Sequence, residues 1–426
     1  VNWLRIPGIV PGDINLIHED GRLVEVDIPC ELATDLPACC PEPLLVRNGS
    51  KVVRYRDRRL EPAPTWLSVR RQRGKCKACK ATLYQPVPGV DDHHYITERL
   101  RDDLRLSTCN RSFRDAVAFH AVEESLARRV FRRYADEKLL DYRFNAPRVL
   151  GIDENHLFGK ARGVVLDVES GRLLDMYEGC TGSHVRKGMM THMDQWENVE
   201  VWCQDMAHAY KGVARDLFPK AQVVVDKFHV LMRAGVIWNK IRYRETPSLP
   251  PELRKKMPGI IRMFDKRWDT LKLSSQDTVA EILGQSPAMQ AAYTIKESFQ
   301  FFYEKQSRAE AEQTYRNWID TVREYDQHSE WKPLMKMVQM NRDEIFAYFE
   351  HRFTSGKVER MNRSIADINR EANGLDFVSL RAKALLRHGT LVPEEAYTFY
   401  SIDLSEPPPA DPYPRPAGII STRNAG

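Results

Sequence analysis

The sequence predicts an α/β protein in which a sheet domain is split by a long helical segment and preceded by two small basic modules. Three observations carry this. Between Val149 and Val225, short apolar runs first follow one another across turn residues and then alternate with helical stretches, as strands and helices do in α/β and α+β sheets. From 246 to 350 the alternation stops and helix formers take over. Ahead of both, residues 1–145 are basic: between Arg47 and Lys80 stand 12 Lys or Arg against two acids, Asp57 and Glu61.

Residues 1–90 read as a small, irregular, basic module. Prolines and short β-prone runs at 51–55 and 66–71 argue against long helices. Cys76-Lys-Ala-Cys79 has the spacing of a metal knuckle, and Cys39 and Cys40 lie upstream. Together the four thiolates predict a structural zinc site of zinc-ribbon type. Pro43 stands where a second spaced Cys ligand would be expected.

Residues 91–145 predict a helix-turn-helix. Thr97 caps a first helix running towards Leu106, and a second fits 112–119, with Phe113, Ala116 and Val117 on one face. A third fits 123–138, with Leu126, Val130 and Tyr134 as its buried stripe. Arg128, Arg129, Arg132 and Arg133 occupy much of the remainder, and with Arg70, Arg71 and Arg73 they form the expected contact to DNA phosphates.

Residues 146–245 predict the first part of the sheet domain. Strands fit 149–154, 163–168, 172–176, 199–203 and 222–225, with helices at 186–196 and 208–217. Three strands in a run, then strand–helix–strand, resembles a ribonuclease H-like core. Residues 246–350, opened by Pro247, Pro250 and Pro251, predict a helical insertion. There Phe299, Phe302, Tyr303, Tyr315 and Trp318 fall at core spacings. Lys255, Lys256 and Lys266 offer charge for DNA. Trp331 reads first as a packed core aromatic, with a surface on which an unpaired base could stack as the alternative. Residues 351–395 return to the sheet domain as a basic helix, and 396–426, rich in proline, predict a disordered tail.

Bulk properties narrow the function less. The net charge is +5, eight cysteines follow no secreted framework, and no run of about 18 apolar residues or signal-peptide layout is present. These features predict a cytoplasmic protein with reduced thiols.

The chemistry rests on acids. Asp153 ends one apolar strand, Asp205 ends another, and Glu359 opens a helix. Met361, Ile365, Ile368 and Ala372 share one face of that helix; Glu359, Asn362, Arg363 and Arg370 lie nearly opposite, free to face a metal and phosphate. Carboxylates so placed suit Mg²⁺ or Mn²⁺, which take oxygen ligands and, as a pair, serve phosphodiester transfer. Asp226 also follows an apolar strand and is the rival second acid; with His229 it could instead order the strand end or neighbouring DNA.

Longer strings sharpen this. Asp205-Met-Ala-His-Ala-Tyr210, Phe218-Pro-Lys-Ala221 and Val225-Asp-Lys-Phe-His229-Val resemble the insertion-sequence transposases of the ISL3 family. Thr354-Ser-Gly-Lys-Val-Glu359-Arg-Met-Asn362, then Gly374 and Ser379-Leu-Arg-Ala-Lys383, continue the likeness. It implies a ribonuclease H-like catalytic fold, divalent metal held by the catalytic acids Asp153, Asp205 and Glu359, and cleavage and rejoining of double-stranded DNA at terminal inverted repeats. Homo-oligomers on paired ends are implied too, and no membrane. Asn362 and Arg363 are expected to touch DNA. Two features depart from the family pattern: Arg360 stands where a small residue is usual, and Cys39-Cys40 replaces a spaced pair. A regulator without catalysis and a nuclease that does not rejoin are the competing readings. The intact acids disfavour the first, and the end-reading modules disfavour the second.

Overall fold

The computed structural model describes residues 4–60, 62–144, 147–191, 198–206, 208–325, 330–354, 356–371 and 374–391. The expected tail at 396–426, the end of the helix expected at 186–196 and Ala372 lie outside them.

The N-terminal module is a sheet, not an irregular region. Its strands are β1 (Ile9–Pro11), β2 (Asn15–Glu19), β3 (Arg22–Leu32), β4 (Leu45–Asp57), β5 (Thr65–Cys76), β6 (Thr82–Tyr84), β7 (Val90–Asp91) and β8 (Ile96–Thr97). They pair in the order β1-β3-β5-β4-β8-β7, with β2 on β3 and β6 on β5. The cause is a period of two: Val26, Ile28 and Cys30 on β3, and Thr65, Leu67 and Val69 on β5, are buried. Basic residues between them hide the pattern from a reading of hydropathy alone.

The three helices follow as α1 (Glu98–Asn110), α2 (Phe113–His120) and α3 (Glu124–Leu139). The Thr97 side chain accepts from the Leu100 amide and the Ser112 side chain from the Asp115 amide, satisfying otherwise orphan donors. Ala121, at φ 50°, closes α2 in the left-handed region, and Arg56 donates to its carbonyl at 2.5 Å. The buried stripe of α3 is shifted from the expected one: Ala127, Val130, Phe131 and Ala135 are buried, while Leu126 and Tyr134 are only partly so. The helix is covered from two sides. Val130 packs with Leu100 and Leu104 of α1. Ala127, Phe131 and Ala135 join the core of the second sheet.

That sheet contains β9 (Val149–Leu157), β10 (Lys160–Asp167), β11 (Leu173–Tyr177), β12 (Val201–Gln204) and β13 (Gln222–Val225), in the order β11-β10-β9-β12-β13. The first three form an antiparallel meander, and β12 and β13 run parallel to β9. Helices α4 (Gly182–Met190) and α5 (His208–Leu217) supply the crossovers, and α6 (Lys227–Glu245) leaves from β13.

From there to residue 388 the described residues pair no further strand with the sheet. They form α7 (Pro251–Phe264), α8 (Leu273–Leu283), α9 (Pro287–Phe299), α10 (Arg308–Tyr325), α11 (Lys332–Met340), α12 (Arg342–Phe346), α13 (Tyr348–His351), α14 (Gly356–Glu371) and α15 (Phe377–His388), with short 3₁₀ turns between some of them. Phe299, Phe302, Tyr303 and Trp318 are buried. So is Trp331, 1% exposed and edge-on to Trp318 at 6.3 Å. The core reading of Trp331 therefore holds and the alternative of a stacking surface for an unpaired base does not, since the ring is packed inside the helical domain. This aromatic core is continuous with Val149, Val201 and Val224 of the sheet. A second cluster joins Leu150, Ile152 and Trp202 to Tyr210 of α5, Ile365 of α14 and Leu380 of α15.

Candidate active site

Strand register brings the acids together. Cys203 lies opposite Gly151, and Gln204 opposite Val225. Carried two residues along β9 and one along β13, the same register aligns Asp205 and Asp226, each just past the end of its strand, with Asp153. Asp153 does not end its strand as expected: it lies inside β9, opposite Val164 of β10, because the polar residues after it continue the antiparallel pairing to Leu157.

Burial pushes the Asp153 carboxyl up from 3.8 to about 6, and the charges of Asp205 and Asp226 add to the rise. A backbone hydrogen bond at Glu154 and the nearby His229 pull the other way. His229 Nε2 stands 3.9 Å from Asp226 Oδ2. Asp226 is 3% exposed beneath the start of α6, whereas Asp205 is half-buried. Such crowding is what a cation relieves.

Glu359 arrives on α14, half-buried in its first turn, with Arg363 Nη2 3.4 Å away. Two features hold that helix against β9. The first is Gly151: a Cβ there would lie 2.9 Å from Val358 Cγ2 and 2.7 Å from Val168 Cγ2, so only glycine admits the approach. The second is a polar clamp. Asn362 Nδ2 donates to Asp153 Oδ2 at 2.9 Å and to the Glu154 carbonyl at 3.3 Å. Asn155 Nδ2 donates to the Asn362 carbonyl at 2.8 Å. Glu359 and Asn362 are three residues apart and share a helix face, which puts Glu359 on the side of α14 that carries the clamp. On the other side of Asp153, the Tyr210 hydroxyl meets Glu154 Oε1 at 3.3 Å.

A second centre lies in the N-terminal sheet. The Sγ atoms of Cys39, Cys40, Cys76 and Cys79 all fall within 4.8 Å of one another. Cys40 and Cys76 are 3.9 Å apart and Cys79 and Cys39 3.4 Å, too far for disulfides and near the ~3.8 Å edge of a tetrahedron with Zn–S of about 2.3 Å. The backbone amide of Cys79, joined by those of Leu44 and Ala78, lowers the Cys76 thiol to about 6, while desolvation pushes Cys39 up to about 12. The donor set fits one tetrahedral thiophilic ion. The adjacent pair Cys39-Cys40 reaches it despite Pro43.

The residues expected to meet DNA divide into two groups. Arg73, Arg129 and Arg133 are exposed. Arg70, also exposed, pairs with Glu31 at 3.2 Å. Arg363 is exposed beside Glu359. Arg132 is exposed as well. It and the others make contacts within the protein. Arg71 donates to the Gln85 carbonyl at 2.9 Å. Arg128 pairs with Glu124 and lies over Phe113. Arg132 reaches Asp376 at 3.4 Å, across to the start of α15. Asn362 faces inward to Asp153. Two basic residues of α15 complete this docking: Lys383 donates to the Arg111 carbonyl and Arg387 to that of Asn110, at the end of α1.

Gly151, Asn155 and the role of Asn362 were missed by sequence reasoning. A glycine inside an apolar strand was the available signal for the first; the asparagines carried none.

No curated protein matches the chain. No helix among the described residues is long and apolar enough to cross a membrane. The family model of the ISL3 DDE transposases, described as transposase, matches residues 150–384, from the strand that bears Asp153 to the last helix and across Asp205, Asp226 and Glu359 on the way. With more than half of the sequence inside that match, the chain belongs to the ISL3 family of DDE transposases, enzymes that cleave and transfer DNA to move insertion sequences.

Proposed function

We propose that the protein binds the terminal inverted repeats of its element and catalyses strand cleavage and strand transfer at a site built from Asp153, Asp205 and Glu359. The observation that carries this is the row of acids on neighbouring strands, with the helix of Glu359 seated against β9 at Gly151. The antiparallel meander followed by two parallel strands supports the ribonuclease H-like reading of residues 146–245 and 351–395, with 246–350 as the helical insertion.

Two Mg²⁺ or Mn²⁺ ions bound there would activate the attacking oxygen and stabilise the leaving one. The chain's own contribution would be to present oxygen-bearing side chains from β9, from the end of β12 and from α14. Asp205, half-buried, is the more accessible partner of Asp153; Asp226, beneath α6, braces the end of β13 with His229. Burial makes Asp153 hold its proton more readily than a free carboxyl, and a bound cation would favour its ionised form.

For DNA recognition, the zinc-ribbon-like module (1–90) and the helix-turn-helix (91–145) supply the end contacts, with one structural Zn²⁺ on Cys39, Cys40, Cys76 and Cys79. Arg70, Arg73, Arg129, Arg132 and Arg133 are exposed cations of that surface. Paired ends call for a homo-oligomer. The test is incubation of the protein with Mg²⁺, a DNA fragment carrying the repeats and a target plasmid. Joined products support transposition. Cut but unjoined ends favour a nuclease, and binding without cutting favours a regulator.

A further inference from the structure

The Asn362 carboxamide has one end bound and the other end open. Nδ2 has two acceptors, Asp153 Oδ2 at 2.9 Å and the Glu154 carbonyl at 3.3 Å. Both are oxygens, so the nitrogen must face them, and the hydrogen-bond network alone settles the orientation of the amide. Oδ1 therefore points away from them, buried and without a hydrogen-bond partner. A buried carbonyl oxygen left unmade is costly, which asks for a donor that arrives with something else.

Position suggests what arrives. Asn362 shares a helix face with Glu359 and is pinned from both sides of its residue: by its side chain to Asp153, and by its own carbonyl, which takes the Asn155 amide at 2.8 Å. Holding Asp153 by one carboxylate oxygen leaves the other for a cation. A Mg²⁺-sized ion keeps several waters, and a water about 2.1 Å from it can donate to an acceptor ~3 Å further on.

We propose that Asn362 is a positioning residue of the metal site, fixing the Asp153 carboxylate through Nδ2 and accepting through Oδ1 from the hydration shell of the ion. This rests on the reading of Asp153 as a metal ligand. It replaces the expected role of Asn362 in touching DNA. Outer-shell partners of this kind are worth about 10–100-fold in metal affinity.

The test uses the full chain with Mn²⁺ alone as probe, its binding followed by electron paramagnetic resonance and water-proton relaxation. Asn362→Leu removes both hydrogen-bonding ends at similar volume, and Asn362→Ala removes them with a smaller side chain; thermal melts check that each folds. Both should bind Mn²⁺ about ten-fold or more weakly, with altered relaxation per bound ion. Wild-type affinity and relaxation in either folded variant would overturn the proposal. Asp153→Asn separates the two levels. If it binds Mn²⁺ as the wild type does, the metal-ligand reading itself fails. If it loses the ion while Asn362→Leu keeps it, only the Asn362 inference fails.

Discussion

Gly151→Ala perturbs the site without touching any acid. The new methyl would meet Val168 Cγ2 at 2.7 Å and Val358 Cγ2 at 2.9 Å. Ordinary carbon contacts begin near 3.5 Å, so about 0.6–0.8 Å must be found. Val358 and Val168 are buried, β-branched and packed, with no flexible end to swing away. The helix α14 must move instead, at a cost of about 1–3 kcal/mol for overpacking. Glu359 is the next residue and Asn362 one turn on, so the same displacement reaches the acid and the clamp. Constellations of this kind tolerate roughly 0.5 Å, and a shift near 1 Å can cost about 100-fold. Cleavage of end-bearing DNA by Gly151→Ala should therefore fall by about 10–100-fold, while gel-shift binding of the same DNA stays near wild type. Val358→Ala in the same chain removes the collision with α14, leaving the one with Val168, and should restore part of the rate. Wild-type cleavage by the single variant, or no recovery in the double, would refute the view that Gly151 sets the distance between β9 and α14.

Three other outcomes follow from the same geometry. Asp153 has a folded pKa near 6, raised from 3.8, so the native state holds its proton longer; its contribution to stability falls as pH rises through that window and stays low above it. Metal-free Asp153→Asn should thus be more stable than wild type at pH 8, by up to about 3 kcal/mol at 1.36 kcal/mol per unit, with the difference shrinking towards pH 4 in urea melts; equal stability at both pH values contradicts the burial argument. Elemental analysis should find about one zinc per chain, absent when Cys76 and Cys79 are both changed to Ser; purified wild type without metal would remove the zinc site from the account. Arg129→Ala with Arg133→Ala should lower the salt slope of end binding by about one per lost phosphate contact and leave stability nearly unchanged. Arg128→Ala should instead lower the melting temperature, since that half-buried side chain pairs with Glu124 and lies over Phe113 of α2.

What the sequence made legible was local. Asp205 and Asp226 could be placed at strand ends because short apolar runs stop at an acid; the same signal puts Asp153 at one too, but its strand runs on through polar residues to Leu157, which an apolar run cannot reveal. The helix of Glu359 could be phased because Met361, Ile365 and Ile368 recur on one face. Register between strands was not legible, since it depends on crossovers whose packing no short window contains. It is register that puts Asp226 in the row beside Asp205. The N-terminal sheet was hidden because its outward positions are arginines and lysines, which mask a period of two. The stripe on α3 slipped because a helix covered from two sides has no single apolar face. Trp331 stands amid polar neighbours in sequence, yet its neighbours in space are Trp318 and the helical core.

The central claim is that Asp153, Asp205 and Glu359 hold the catalytic ions. Its most direct test is Mg²⁺-dependent cleavage of DNA carrying the terminal repeats by Asp153→Asn, Asp205→Asn, Glu359→Gln and Asp226→Asn, with end binding measured in parallel. The first three should lose cleavage and keep binding, because a neutral amide is a poor ligand for a hard cation, and Asp226→Asn should retain measurable activity. Full cleavage by Asp205→Asn together with its loss in Asp226→Asn would contradict the account and move the second ligand to the neighbouring strand.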